Sequence, residues 1–107
     1  MKEVKINFSQ KIVNQYGNQL KDSIMDKEVN ATLATVLSGR LLSLSNVEPK
    51  DALQLWCLCK DVAKASTIMI DEDQLEFLIK HTEMINAMPL IKGQLLTILK
   101  DAEKDLK

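Results

Sequence analysis

The side chains able to do chemistry are few and scattered. Cys57 and Cys59 stand two apart, His81 is the only histidine, and Arg40 is a cation among leucines. An acidic run, Asp71-Glu72-Asp73, completes the set. A C-x-C pair offers two thiolates to a metal, but a closed site takes four ligands, and one histidine does not supply the rest. In a helix, residues two apart point about 200° from each other, so these cysteines do not bridge. Unbridged thiols suit a reducing compartment, and a cytoplasmic location is expected. The acidic run lacks the turn glycine and distal glutamate of a calcium loop. It reads as a helix start, with Asp71 as cap and Gln74 completing a capping box, at the end where the helix dipole favours acids.

His81 falls on an apolar helix face, the usual setting of a satisfied structural group. As a general base it would need an orienting acid and a nucleophile, and the sequence names neither. The sequence holds no Gly-rich phosphate loop, Ser-His-Asp spacing or H-E-x-x-H. No catalytic residue, cofactor or metal is therefore expected, and the protein reads as non-enzymatic. Arg40 lies at the edge of an apolar stripe, where it either snorkels or pairs with a carboxylate. The sharper alternative is contact with an anion or a partner.

These residues ride on a chain of 107 residues, expected to be one domain, 1–107. Apolar residues make up 46% and charged residues 27%, which favours a globular fold over disorder. Three glycines and two prolines imply long elements. The net charge of −1 lacks the basic surplus of nucleic-acid binders, although Lys2, Lys5, Lys11 and Lys21 make the N-terminal segment locally basic. No apolar run approaches the ~20 residues that cross a bilayer. Neither nucleic acid nor membrane is an expected partner.

Val4, Ile6 and Phe8 alternate with polar residues, the period of a half-buried strand. Tyr16-Gly17-Asn18 is a turn, since Gly and Asn tolerate positive φ. Leu20, Ile24 and Met25 supply apolar contacts on the return. Residues 1–25 thus read as a β-hairpin or irregular arm. Asn30 is the expected cap of a helix over 31–44, with Leu33, Leu37, Leu41 and Leu44 on one stripe. After Pro49 a second helix centres its apolar face on Leu55, with Ala52, Trp56, Leu58, Cys59, Val62 and Ala63. A third, from Asp71, buries Leu75, Leu78, Ile79, Thr82 and Ile85. A fourth, opened by Pro89, buries Ile91, Leu95, Ile98, Leu99, Ala102 and Leu106. Gly93 lies inside it and suggests a close helix contact; its charged last turns are expected to fray. The expected fold is mainly α: an N-terminal β-hairpin or irregular arm, then a four-helix bundle over 31–107.

Leu42, Leu53, Phe77, Met84, Leu90 and Leu96 fall off or at the margin of these stripes. Each is worth ~1.5–3 kcal/mol if fully buried, and monomers rarely expose large apolar patches. A second copy, as in a homo-oligomer, or another protein is expected to cover part of this surplus. Leu42, Leu53, Trp56 and Leu96 are the candidate interface residues.

"VKINFSQKIVNQYGNQLKD", "NATLATVLSGRLLS", "DALQLWCLCKDVAKASTIMIDEDQLEFLIKH" and "PLIKGQLLTILK" follow in an order that covers nearly the whole chain. That order resembles a diffuse group of short phage and prophage open reading frames. Their pattern is a K-I-[DN]-F-like strand, a D-G-N-like turn, two leucine-rich helices, an acidic helix start and a closing "xxGQ". Positions 16–18 depart from the turn, and Trp56-Cys57 from the second helix. The resemblance implies a small viral accessory or assembly protein, and it carries no activity or functional residue. Two functional expectations result. One is a non-enzymatic phage or prophage protein acting by protein–protein contact, as an assembly factor or an inhibitor of a host or defence protein. The alternative is a protein that sequesters an anionic nucleotide through Arg40, His81 and lysines of a facing copy.

Overall fold

A computed structural model describes residues 2–24, 27–64 and 66–106, with the side chains of 22–24 excepted. In chain order the elements are β1 (Glu3–Asn7), β2 (Lys21–Ile24), β3 (Lys27–Asn30), α1 (Leu33–Leu41), α2 (Pro49–Lys64), β4 (Thr67–Asp71), α3 (Glu72–Glu83) and α4 (Pro89–Asp105).

β1 does not fold back on its own neighbours. It pairs antiparallel with β4, setting Val4 opposite Ile70 and Ile6 opposite Ile68. Directly opposed residues share a face, so these four apolar side chains form one surface toward the helices. Lys5 opposite Met69 and Asn7 opposite Thr67 form the other. The Phe8 N–H donates to the Ser66 carbonyl at 2.6 Å and prolongs the ladder. This corrects the expected mainly-α plan of an arm followed by a four-helix bundle. A strand lies between α2 and α3, and it binds the N-terminus into the body of the fold. The signal was in "TIMID", where Ile68 and Ile70 alternate with Thr67 and Met69 at period two. Asp71 ends β4 and caps α3: its carboxylate accepts from the Gln74 N–H at 2.8 Å, and Gln74 Oε1 accepts from the Asp71 N–H at 3.1 Å.

The second sheet is a β2–β3 hairpin pairing Lys21 with Asn30 and Ile24 with Lys27. The expectation for Met25 and for the Ile24 side chain falls outside the described residues. The Tyr16-Gly17-Asn18 turn is present, with Gly17 at φ 84°. Asn14 Oδ1 accepts from the N–H groups of Tyr16 and Asn18, the local bonding that lets Asn organise turns. This segment also closes the start of α1. The N–H groups of Leu33 and Ala34 donate to the carbonyls of Gln10 and Phe8, satisfying donors that a helix start leaves open. The N-cap is Thr32, in a reciprocal box with Thr35, rather than Asn30. Asn30 belongs to β3, and its Oδ1 accepts from Lys21 Nζ.

The helices pack as two pairs, α1 with α2 and α3 with α4, while α4 also lies on β1. The core joins Leu33, Leu37 and Leu41 of α1 to Leu55 and Cys59 of α2, Leu75 and Leu78 of α3, and Leu95 and Leu99 of α4. Phe8, Ile12 and Ile70 fill it from the β segments. Two expectations for α4 fail. Its last turns do not fray, because Leu106 is buried and its N–H bonds back to Glu103. Gly93 makes no close contact; a Cβ there would meet nothing within 4 Å.

Candidate functional site

His81 stands with α3's core residues and is 2% exposed. Its Nδ1 lies 2.9 Å from the Phe77 carbonyl, which only accepts, so Nδ1 carries the proton. Its Nε2 faces Asp51 Oδ2, in the first turn of α2, across 3.9 Å, too far for a hydrogen bond. The Phe77 ring tilts over the imidazole with centroids 4.3 Å apart. His81 is thus a buried group bonded within α3, and it faces α2 without a hydrogen bond to it.

Arg40 is exposed in the last turn of α1, where a cation complements the helix dipole. It forms a wall common to two clefts. One, of about 310 Å³, runs along Ser43, Asn46, Met84 and Asn86. The other, of about 260 Å³, is also lined by Lys21 and by the first turn of α4. His81 lines neither among the described residues, so the structure does not bring the two candidate anion contacts together.

The candidate interface residues divide. Leu53 is 66% exposed, Trp56 52% and Leu42 46%, whereas Leu96 is half-buried on α4. Trp56, expected on the apolar face of α2 with Ala52 and Ala63, is exposed as they are, because the packed face narrows to Leu55, Leu58, Cys59 and Val62. It stands one turn from Leu53 and about 60° from it around the axis. Exposed Lys60 and Lys64 lie within about 20° of Leu53 around the axis, and Lys50 about 60° away. The outer face of α2 thus carries two apolar side chains with lysines toward both ends, together with exposed Asp61 about 80° from Leu53, and Lys50 pairs with Glu48 at 3.9 Å.

Two glutamines carry structure that the sequence reading passed over. Gln94 Oε1 accepts from the Val13 N–H at 3.0 Å, while its Nε2 donates to the Val13 carbonyl and, at 2.7 Å, to that of Leu90. Gln94 thus bonds Val13 as a strand neighbour would, and both line a groove of about 470 Å³ between residues 13–15 and α4. Its only sequence signal is the Gly93-Gln94 pair matching "xxGQ". Gln19 Nε2 points at the carbonyls of Ile12, Leu20 and Ala31, joining three chain segments.

Cys57 is exposed and Cys59 buried. Burial pushes the Cys59 thiol up to about 11, so it is neither a nucleophile nor a ready metal ligand near neutral pH. Among the described residues, no three His, Cys, Asp or Glu side chains gather as a metal set, and no helix is long and apolar enough to cross a membrane. Comparison of the chain with protein-family models, curated proteins and solved structures finds no match.

Proposed function

We propose that the protein acts without catalysis, by docking the outer face of α2 on a partner protein with an apolar groove and an acidic rim. One observation carries this reading: Leu53 and Trp56 project together from α2, both more than half exposed, with Lys60 and Lys64 farther along the same side of the helix. Covering the part of each side chain still exposed is worth about 1–2 kcal/mol, and tryptophan is enriched among residues that dominate binding energy. The lysines select the partner's sign. Two copies meeting through this face about a two-fold axis at Leu53 and Trp56 would bring Lys50 of one toward Lys60 of the other, and like charges in an interface are repulsive. The partner is therefore a different protein, which favours an inhibitor of a host or defence protein over a self-assembling factor. The viral context is supported by the resemblance to short phage reading frames.

The nucleotide alternative has less behind it. His81 is sealed off, and no aromatic side chain among the described residues lines the clefts at Arg40 to stack a base.

The test is capture from host lysate on the immobilised wild-type chain and on the L53A/W56A variant. Both substitutions are on the surface, so the fold should shift by only about 0.5 kcal/mol each. A protein held by the wild type, lost with the variant and released by salt is the expected result. Capture indifferent to both changes overturns the reading. So does light scattering that shows a wild-type dimer abolished by L53A/W56A, since the occupant would then be a second copy.

A further inference from the structure

The cleft of about 260 Å³ between the start of β2, the last turn of α1 and the first turn of α4 gathers positive charge from three directions. Lys21 and Arg40 both line it. Lys21 is held in place by its cross-strand partner, with Nζ 2.6 Å from Asn30 Oδ1, and its ammonium keeps two further donors. The third source is α4. Its N-cap Met88 makes no side-chain cap, and its first turn holds no acid, so the positive end of its dipole is uncompensated by its own residues. Among the described residues no carboxylate lines the cleft, and the other walls are Leu20, Ala31, Val36, Met88, Leu90 and Ile91.

We propose that this cleft binds a small carboxylate carrying an apolar chain. A carboxylate matches the planar fork of Arg40 and accepts from Lys21 at the same time. The apolar walls take the chain. The volume lies below the ~300–1,000 Å³ of pockets for drug-sized ligands, which suits a short chain better than a nucleotide. The same chemistry is offered by a free aliphatic acid and by the last residue of a peptide.

The test titrates the full chain with sodium hexanoate, hexanamide and N-acetyl-leucine, following backbone amide resonances. Hexanoate should move the Leu90 and Ile91 amides saturably, and hexanamide, of the same size without charge, should bind about tenfold more weakly. Raising NaCl from ~50 to ~500 mM should weaken the hexanoate complex, because both cations are exposed to screening. R40Q and K21Q should each lower affinity about tenfold while lowering the melting temperature by no more than about 4 °C, the cost of losing one dipole contact or one exposed hydrogen bond. N-acetyl-leucine binding more tightly than hexanoate assigns the site to a peptide end, and the reverse order assigns it to a free acid; both sustain the proposal. Equal binding of hexanoate and hexanamide, shifts located away from the cleft, no saturation by about 50 mM, or tighter binding of adenosine monophosphate would overturn it.

Discussion

Gln94 and Val13, 81 positions apart, are joined by paired hydrogen bonds in which one side-chain amide serves both the N–H and the carbonyl of a single peptide residue. A side chain of α4 thus supplies the bonds that a neighbouring strand would give. Val13 is half-buried, so water replaces those bonds poorly.

Gln94→Ala should therefore cost about 2 kcal/mol, the net worth of two hydrogen bonds to a partly buried peptide. Urea unfolding measures the loss, and hydrogen exchange at Val13 should quicken with it. Gln94→Glu should be worse at neutral pH, because a carboxylate would face the Val13 carbonyl with no proton to donate. Its deficit against wild type should shrink in acid, once that carboxyl is protonated. A Glu variant as stable as wild type at pH 7 would show that the clamp is idle.

The two cysteines should behave oppositely. A disulfide reagent at pH 8 should titrate one thiol, Cys57, in the native protein and two after unfolding. Cys59 also ties stability to alkali. The fold raises its value from 9.0 to about 11 by burial, so it favours the protonated thiol. That contribution is complete below pH 9.0 and is lost as pH rises through about 11. It is on the order of 2–3 kcal/mol, from 1.36 kcal/mol per unit of displacement. Stability curves of wild type and Cys59→Ala should converge over that window, and parallel curves would contradict the assignment.

Gly93→Ala should stabilise. Gly93 is inside α4 with open space where a Cβ would stand, so the gain in helix propensity, about 1 kcal/mol, meets no steric penalty. Thermal unfolding should move up by about 4 °C for a domain of this size. A lowered midpoint would contradict the open space beside Gly93.

Much of the helical architecture is legible along the chain. The stripe Leu75, Leu78, Ile79, Thr82 and Ile85 is buried throughout, Asp71 and Gln74 close the box that their spacing predicts, and Gly17 turns where it should. The exposure of Leu53 also follows from its place opposite the stripe of α2. Each of these is local: a 3.6-residue period or a three-residue reach is set by neighbours in sequence. What the chain alone did not reveal is which surface covers which. β1 meets β4 because Val4 and Ile6 match Ile70 and Ile68 in register, and a strand's own alternation names a buried face without naming its partner. Gln94 clasps Val13, and Lys21 and Arg40 come to line one cleft, only after two sheets and two helix pairs have been set against one another. Periodicity therefore determined the faces of this protein, and tertiary packing determined their contacts, because pairing energy depends on shapes assembled from distant parts of the chain.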